Sequence, residues 1–303
     1  MFGADAVRCM RRSSGGGGGP DELLTAVSMG AYTSAAVLSD GTVAAWGVEN
    51  NGQIAALTAL VGVSQVACGD SHTVVLFSDG SVQTYGSDTF GQVSGTPSVN
   101  NAVKVAAGHY FSMALLSDGS VLAWGRNVYG QMSGASTIAG ATDIACGGNI
   151  ALAILSDGSI AAWGDTSYGM TTGASAVTDA VAIAAGSYHC AAVLADGSVH
   201  AWGQDTYSKV SGAASVTGAV AVACLQETSY ALLSDGSVHA WGRDLYSSIS
   251  GVPAGNDFIA IASAPAGYCA AAITDAGNVV AWGRNNNEQV SGAASITGVK
   301  TTV

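Results

Sequence analysis

A thirteen-residue stretch, Ala191-Ala-Val-Leu-Ala-Asp-Gly-Ser-Val-His-Ala-Trp-Gly203, recurs in near-copy seven times and dictates what the chain can become. Its aromatic-Gly pair falls at Trp46, Tyr85, Trp124, Trp163, Trp202, Trp241 and Trp282, at spacings of 39 residues and a last one of 41. A period of that size marks a repeat architecture in which each unit buries its apolar face against the next.

Each unit reads as a hairpin. In the first, residues 35–38 and 43–46 are short apolar strands around Asp40-Gly41. That pair favours a two-residue type I′ loop, which predicts the pairs Leu38–Val43, Ala36–Ala45 and Ala35–Trp46. Asp40 and its equivalents Asp79, Asp118, Asp157, Asp196 and Asp235 are read as turn chemistry. In the third unit a first strand is expected over residues 103–107, the hairpin over 112–116 and 121–124, and a fourth strand near 130–133. Strands this short cannot make a stable separate sheet, but radially arranged sheets cover one another. The expectation is an all-β fold: a seven-bladed β-propeller of four-stranded antiparallel blades over residues 21–303. Residues 1–20, with Gly15 to Gly19, read as a flexible Gly-rich lead-in.

The two ends complicate closure. Residues 295–303 match 215–223, the approach to a first strand, whereas residues 24–28 already fill that strand in the first unit. Either one end displaces the other or the chain is part of a longer one. The seventh unit is irregular: Thr274-Asp-Ala-Gly277 reads as a turn one residue longer than usual, and residues 256–267 as holding the other insertion. The glycine 16 residues before the aromatic is replaced by Leu225 in the sixth unit, and Pro265 stands near that place in the seventh.

Composition narrows the function. The chain has 303 residues, 49% of them hydrophobic, and no run of strongly apolar residues long enough to cross a membrane as a helix. With 9 Lys+Arg against 21 Asp+Glu, the net charge of −12 opposes binding to nucleic-acid backbones or an anionic membrane. Cys68, Cys146 and Cys224 share one repeat position with Met29, Ala107 and Ala185; Cys190 and Cys269 are assigned to a second, with Ser34 and Ser112. Such interchange suits small buried side chains, and without a C-x-x-C pair it favours a cytoplasmic or other reducing compartment.

Catalytic signals are sparse. His72 and His189 share a position with Thr33, Phe111, Ile150 and Thr228, so they read as packing residues. His200 and His239 recur two residues before a Trp and read as strand-face residues. No metal-ligand spacing, nucleophile elbow or phosphate loop is present. No cofactor, metal site or catalytic residue is assigned, and the chain is read as non-enzymatic and monomeric.

The loop after the Trp-Gly pair is more informative. Five residues past the aromatic stand Phe90, Tyr129, Tyr168, Tyr207 and Tyr246, and two residues before them Asp88, Asn127, Thr166, Asp205 and Asp244. In a propeller these loops emerge at one end. The aromatics then either cover the blade ends or, if exposed, form with Asp88, Asn127, Asp205 and Asp244 a rim suited to a protein partner. Asn51 and Asn287 interrupt the stripe, which centres the rim on the middle blades. Arg126, Arg243 and Arg284 follow their Trp by two residues and add charge there.

The runs Val103-Lys-Val-Ala-Ala-Gly108, Met113-Ala-Leu-Leu-Ser-Asp-Gly119 and Ala123-Trp-Gly-Arg-Asn-Val-Tyr-Gly-Gln131 resemble the regulator-of-chromosome-condensation repeat. The resemblance covers the seven units and implies a seven-bladed propeller. It also implies the family's roles: nucleotide exchange on a small nuclear GTPase, chromatin docking, ubiquitin-ligase accessory domains, light sensing and, in bacteria, inhibition of β-lactamases. The 39-residue unit is closer to the compact bacterial propellers. No wedge-like insertion is found, and the acidic charge opposes chromatin. The expected function is a non-enzymatic protein-binding module or scaffold acting through its loop rim. The alternatives are regulation of a small GTPase and inhibition of an extracellular or bacterial enzyme.

Overall fold

The computed structural model describes residues 27–299, apart from 50 and 266. These form seven antiparallel sheets of three strands each. In the second blade the inner strand is Val63–Cys68, the middle strand His72–Phe77 and the outer strand Val82–Gly86. Inner strands of successive blades touch one another, and that of the first blade touches that of the last, so the seven surround a common axis. The inner and middle strands are buried almost throughout, as a strand between two neighbouring blades must be.

The expected fourth strand is not there. After each outer strand the chain runs back along the blade edge and in four blades ends in a 3-10 turn: Ala135–Thr137, Thr172–Ala176, Ser211–Ser215 and Ser291–Ser295. This segment packs on the next blade's indole instead of extending the ladder. A Cβ at Gly134 would lie 2.3 Å from Cγ of Trp163, so only glycine lets the turn approach that closely. The indole N–H completes the contact: Trp163 Nε1 donates to the Gln131 carbonyl at 2.7 Å, and Trp124, Trp202 and Trp241 repeat the bond to Gln92, Met170 and Lys209. Where the α-helix Gln53–Thr58 replaces the 3-10 turn, Tyr85 replaces the tryptophan.

The hairpin register also differs from expectation by one residue. Ser34 pairs with Trp46, Ala35 with Ala45 and Val37 with Val43. The loop is a turn from Leu38 to Gly41 (Gly41 N–H to Leu38 carbonyl, 2.9 Å) closed by Leu38 N–H to the Thr42 carbonyl, with Gly41 alone at positive φ, 78°. Asp40 stays right-handed because its Oδ1 accepts from Thr42 N–H at 2.9 Å and Thr42 Oγ at 2.6 Å. A type I′ loop would have forced Asp40 to positive φ as well. The large indole still faces a small residue: Ser34, Ser112, Ala151, Cys190, Ser229 or Ala270.

The ring closes through both ends of the described chain. Val27 and Ser28 pair with Ala36 and Ala35, while Val299 bridges Leu38 from the same side. By register, Val299 stands where Val63 stands in the second blade and Val27 where Val66 stands, so neither end displaces the other. Trp46 Nε1 donates to the Gln289 carbonyl at 2.8 Å, the same clasp seen elsewhere but across 243 positions of sequence.

The seventh blade corrects two further expectations. Thr274 to Asn278 is a turn of ordinary length, with Ile273 opposite Val279. Both extra residues lie between the inner strand Phe258–Ser263 and the middle strand Cys269–Thr274, in the loop over the axis. Register then places Ala270, not Cys269, opposite the indole; Cys269 faces Gly283, as His189 faces Gly203. The five described cysteines are all buried.

Candidate functional site

Each inner strand ends, each middle strand begins and each outer strand ends at the same edge of its blade, as the pair His72–Gly86 shows. Two loops per blade therefore meet at this end: a short one near the axis, and the longer one that carries the aromatic stripe.

The outer row is exposed. Phe90, Tyr129, Tyr168, Tyr207 and Tyr246 retain 43–57% of their surface. Four of their loops are held by the residue two positions earlier. Asp88 Oδ1 accepts from Val93 and Ser94 N–H at 2.8 and 2.9 Å, and Asp205 and Asp244 bind Val210/Ser211 and Ile249/Ser250 in the same way. Asn127 Oδ1 takes Met132 N–H at 2.8 Å. Asp88, Asn127, Asp205 and Asp244 are thus loop clamps as well as rim residues, and these backbone bonds hold the three carboxyls below the usual carboxylate range.

Two glutamines set the shape of the first two loops. Gln92 and Gln131 are buried and accept the N–H of Phe90 and Tyr129 through Oε1 at 2.7 and 2.9 Å. Met170, Lys209 and Ser248 occupy the same place in the next three blades, and there Tyr168, Tyr207 and Tyr246 adopt left-handed φ of 57°, 64° and 56°. Bulky residues rarely accept that conformation, so the rim stores strain at three exposed tyrosines.

A second, inner row was not singled out from sequence. Tyr32, Tyr110, Tyr188 and Tyr268 stand 14 residues before their tryptophan in alternate blades, and Ser71, Asn149 and Glu227 fill the others. The double-length period was the available signal. The rows meet: Phe90–Tyr110 at 5.2 Å between ring centres, Tyr168–Tyr188 at 6.2 Å and Tyr246–Tyr268 at 5.3 Å. Cations lie against these rings, with Arg126 5.2 Å from Phe90, Arg243 4.7 Å from Tyr207, Arg284 5.5 Å from Tyr246 and Lys209 Nζ 5.5 Å from Tyr188. Lys209 itself is buried and donates to Gln204 Oε1 at 2.8 Å.

At the axis the inner loops crowd together. A Cβ at Gly108 would lie 2.5 Å from the Gly147 carbonyl of the next blade, which explains why glycine recurs there. The seventh-blade loop crosses to the fifth, where Ser187 Oγ donates to the Pro265 carbonyl at 3.0 Å. Asp70 is largely buried beside Tyr110, and loss of solvent pushes its carboxyl up to about 7. His109, also largely buried, is held near 4.

Two buried histidines face serines of the next blade. His72 Nε2 lies 2.9 Å from Ser112 Oγ and His189 Nε2 2.6 Å from Ser229 Oγ, each linking adjacent blades, and burial lowers them to about 4 and about 3. His200 and His239 lie beside Trp202 and Trp241 on the outer strands. No group of three or more potential metal ligands occurs among the described residues.

The family model described as the regulator of chromosome condensation (RCC1) repeat matches residues 24–53, 63–92, 102–131, 141–169 and 180–208. The chain is an RCC1-like repeat propeller. The first three matches end on Gln53, Gln92 and Gln131, the buried residue beneath each rim loop. A comparison with curated proteins found no match.

Solved structures share the RCC1-like fold at low identity. The CRINKLY WD40 ectodomain of the Arabidopsis thaliana receptor kinase ACR4 is 18% identical, with a TM-score of 0.67 over 86% of this chain and 97% of that one. Prp20p from Saccharomyces cerevisiae, solved with its binding properties to Gsp1p and histones, is 18% identical, with a TM-score of 0.60 over 85% and 84%. Yeast RCC1 (Prp20) bound by Kap60 is 15% identical, with a TM-score of 0.64 over 97% and 90%.

Proposed function

We propose that this propeller is a non-catalytic protein-binding module whose partner docks on the aromatic rim. The observation that carries this reading is the row of five half-exposed rings at one end, three on strained backbone, four with clamped loops and three packed against a ring of the next blade. Rigid aromatics with arginine beside them are the side chains that dominate protein interfaces, because they bury much area for little lost freedom. Binding of Prp20 by Kap60, and the Gsp1p and histone binding of Prp20p, support protein recognition as the class of activity for this fold.

The test is affinity capture from the native source with the wild-type chain and with Tyr129→Ala/Tyr168→Ala/Tyr207→Ala, after matching their circular dichroism. Partners lost only from the triple variant locate the site. Retention of every partner by the folded variant rejects the rim. Accelerated release of labelled GDP from a small GTPase would replace this reading with regulation of nucleotide exchange.

A further inference from the structure

The rim cations are not equivalent. Arg243 Nη1 is paired with Glu227 Oε2 at 2.8 Å, and the Arg284 guanidinium lies against the side-chain amide of Asn286. The Arg126 side chain has no hydrogen-bond or ion-pair partner among the described residues, and its Nε is buried without one. Its guanidinium carbon lies 5.2, 5.7 and 5.9 Å from the ring centres of Phe90, Tyr110 and Tyr129, three rings from three different loops. Cation–π attraction holds the faces of that group but leaves the N–H donors in its plane unsatisfied. A planar, caged guanidinium has already lost its rotamer freedom, so a bidentate acceptor binds it at little further entropic cost.

Charge selects the acceptor. The opposite end of the molecule carries the six hairpin aspartates and no exposed cation among the described residues, so among those residues an anionic group is repelled there and favoured at the rim. Within the rim, Asp88 shares the Phe90 loop and Asp70 lies beside Tyr110. The Asp88 carboxylate, kept ionised by its backbone bonds, tolerates one added negative charge better than the two of a phosphate group.

We propose that Arg126, in its cage of Phe90, Tyr110 and Tyr129, is the anchor point of the rim and receives a single aspartate or glutamate side chain of the protein partner. This rests on the rim reading above and adds the chemistry of what docks there. The contact orients the partner on blades two and three, with the strained tyrosines of later blades covering the remainder of its surface.

Linear peptides displayed on phage and selected on the full chain test the proposal. The expected pool carries one Asp or Glu at a fixed position among apolar residues. Those peptides should lose at least about tenfold in affinity on Arg126→Glu and less on Arg126→Lys, which keeps the charge without the fork. Selection on Arg126→Glu should yield Lys or Arg at that position. Peptides lacking an acid, or binding wild type and a folded Arg126→Glu equally, overturn the anchor. If those peptides are nonetheless lost on Tyr168→Ala/Tyr207→Ala, the rim stands and only Arg126 falls. Recovery of no peptide, or of peptides insensitive to both variants, sinks the anchor and the rim together.

Discussion

Single side chains in this propeller are most legible where one chemistry repeats. Six aspartates accept the same two bonds from the residue two positions on, and those bonds lower all six carboxyls. Asp70 departs from them, a carboxyl raised to about 7 by lost solvation. Its folded value lies above the ordinary 3.8, so the native state holds the extra proton and stability falls as pH rises between the two. Asp70→Asn should therefore gain stability relative to wild type as pH rises across that window, by up to a few kcal/mol, on the order of 1.4 kcal/mol per pH unit. Urea denaturation at about pH 5 and about pH 8 measures this, and an equal difference at both would refute it. The buried histidines act in the opposite sense. His72 stays neutral down to about 4, so the unfolded chain takes up the proton first, and stability is lost as pH falls below 6.5. The third blade places Phe111 at this position, in one apolar cluster with Ala151 of the next. Copying that pair, His72→Phe should cost about 1–3 kcal/mol by orphaning Ser112, and His72→Phe/Ser112→Ala should recover most of it. Additive losses in the double-mutant cycle would show that the pair is not coupled.

Four blades, those of Trp46, Trp163, Trp202 and Trp241, are finished by their predecessors. The 3-10 turn and the carbonyl of one loop receive the indole of the next blade, so removing the indole opens an inter-blade gap and not merely a hole inside one sheet. Trp163 is 8% exposed, contacts Gly134 and bonds Gln131. Trp163→Ala should cost about 3–5 kcal/mol. Chemical denaturation of a variant with unchanged secondary structure checks this; a loss below about 1 kcal/mol would contradict the packing. Polar links reinforce particular junctions. Lys104 Nζ reaches Asp143 Oδ1 at 2.9 Å between the third and fourth inner strands, and Gln65 exchanges two bonds with the Val105 backbone. Burial raises the Asp143 carboxyl, with Lys104 opposing the shift. Such a pair serves blade order more than net stability, because desolvation offsets most of its attraction.

At the scale of the whole molecule, closure depends on Val27–Ser28 and Val299 pairing along one side of residues 35–38 and on the Trp46–Gln289 clasp. A chain ending at residue 288 loses the carbonyl under Trp46 and the partner of Leu38. It should show increased acrylamide quenching of tryptophan and a broadened denaturant transition, as a ring becomes an open array that frays from its last blade. An unchanged, single sharp transition would mean that the seam contributes nothing to cooperativity.

Much of the architecture follows from period alone. A 39-residue unit with one large aromatic, one Asp-Gly turn and short apolar strands has no stable form except against copies of itself, so the repeated blade and the common axis were determined by sequence. The rim loops were legible too, since equal offsets in equal units must emerge at one end. Tertiary structure decided the rest. Gly134 reads as a generic linker residue until the indole of Trp163 is set against it, which turns the expected fourth strand into a helical turn. The one-residue shift in the hairpin follows from Asp40 bonding Thr42, a choice between two local energies that composition does not rank. The pairing of Val27 and Val299 along one side of residues 35–38, and the caging of Arg126 by rings from three loops, arise from chain segments brought together only by the fold. Such contacts depend on the angle at which blades meet around the axis, and that angle is a property of the closed ring.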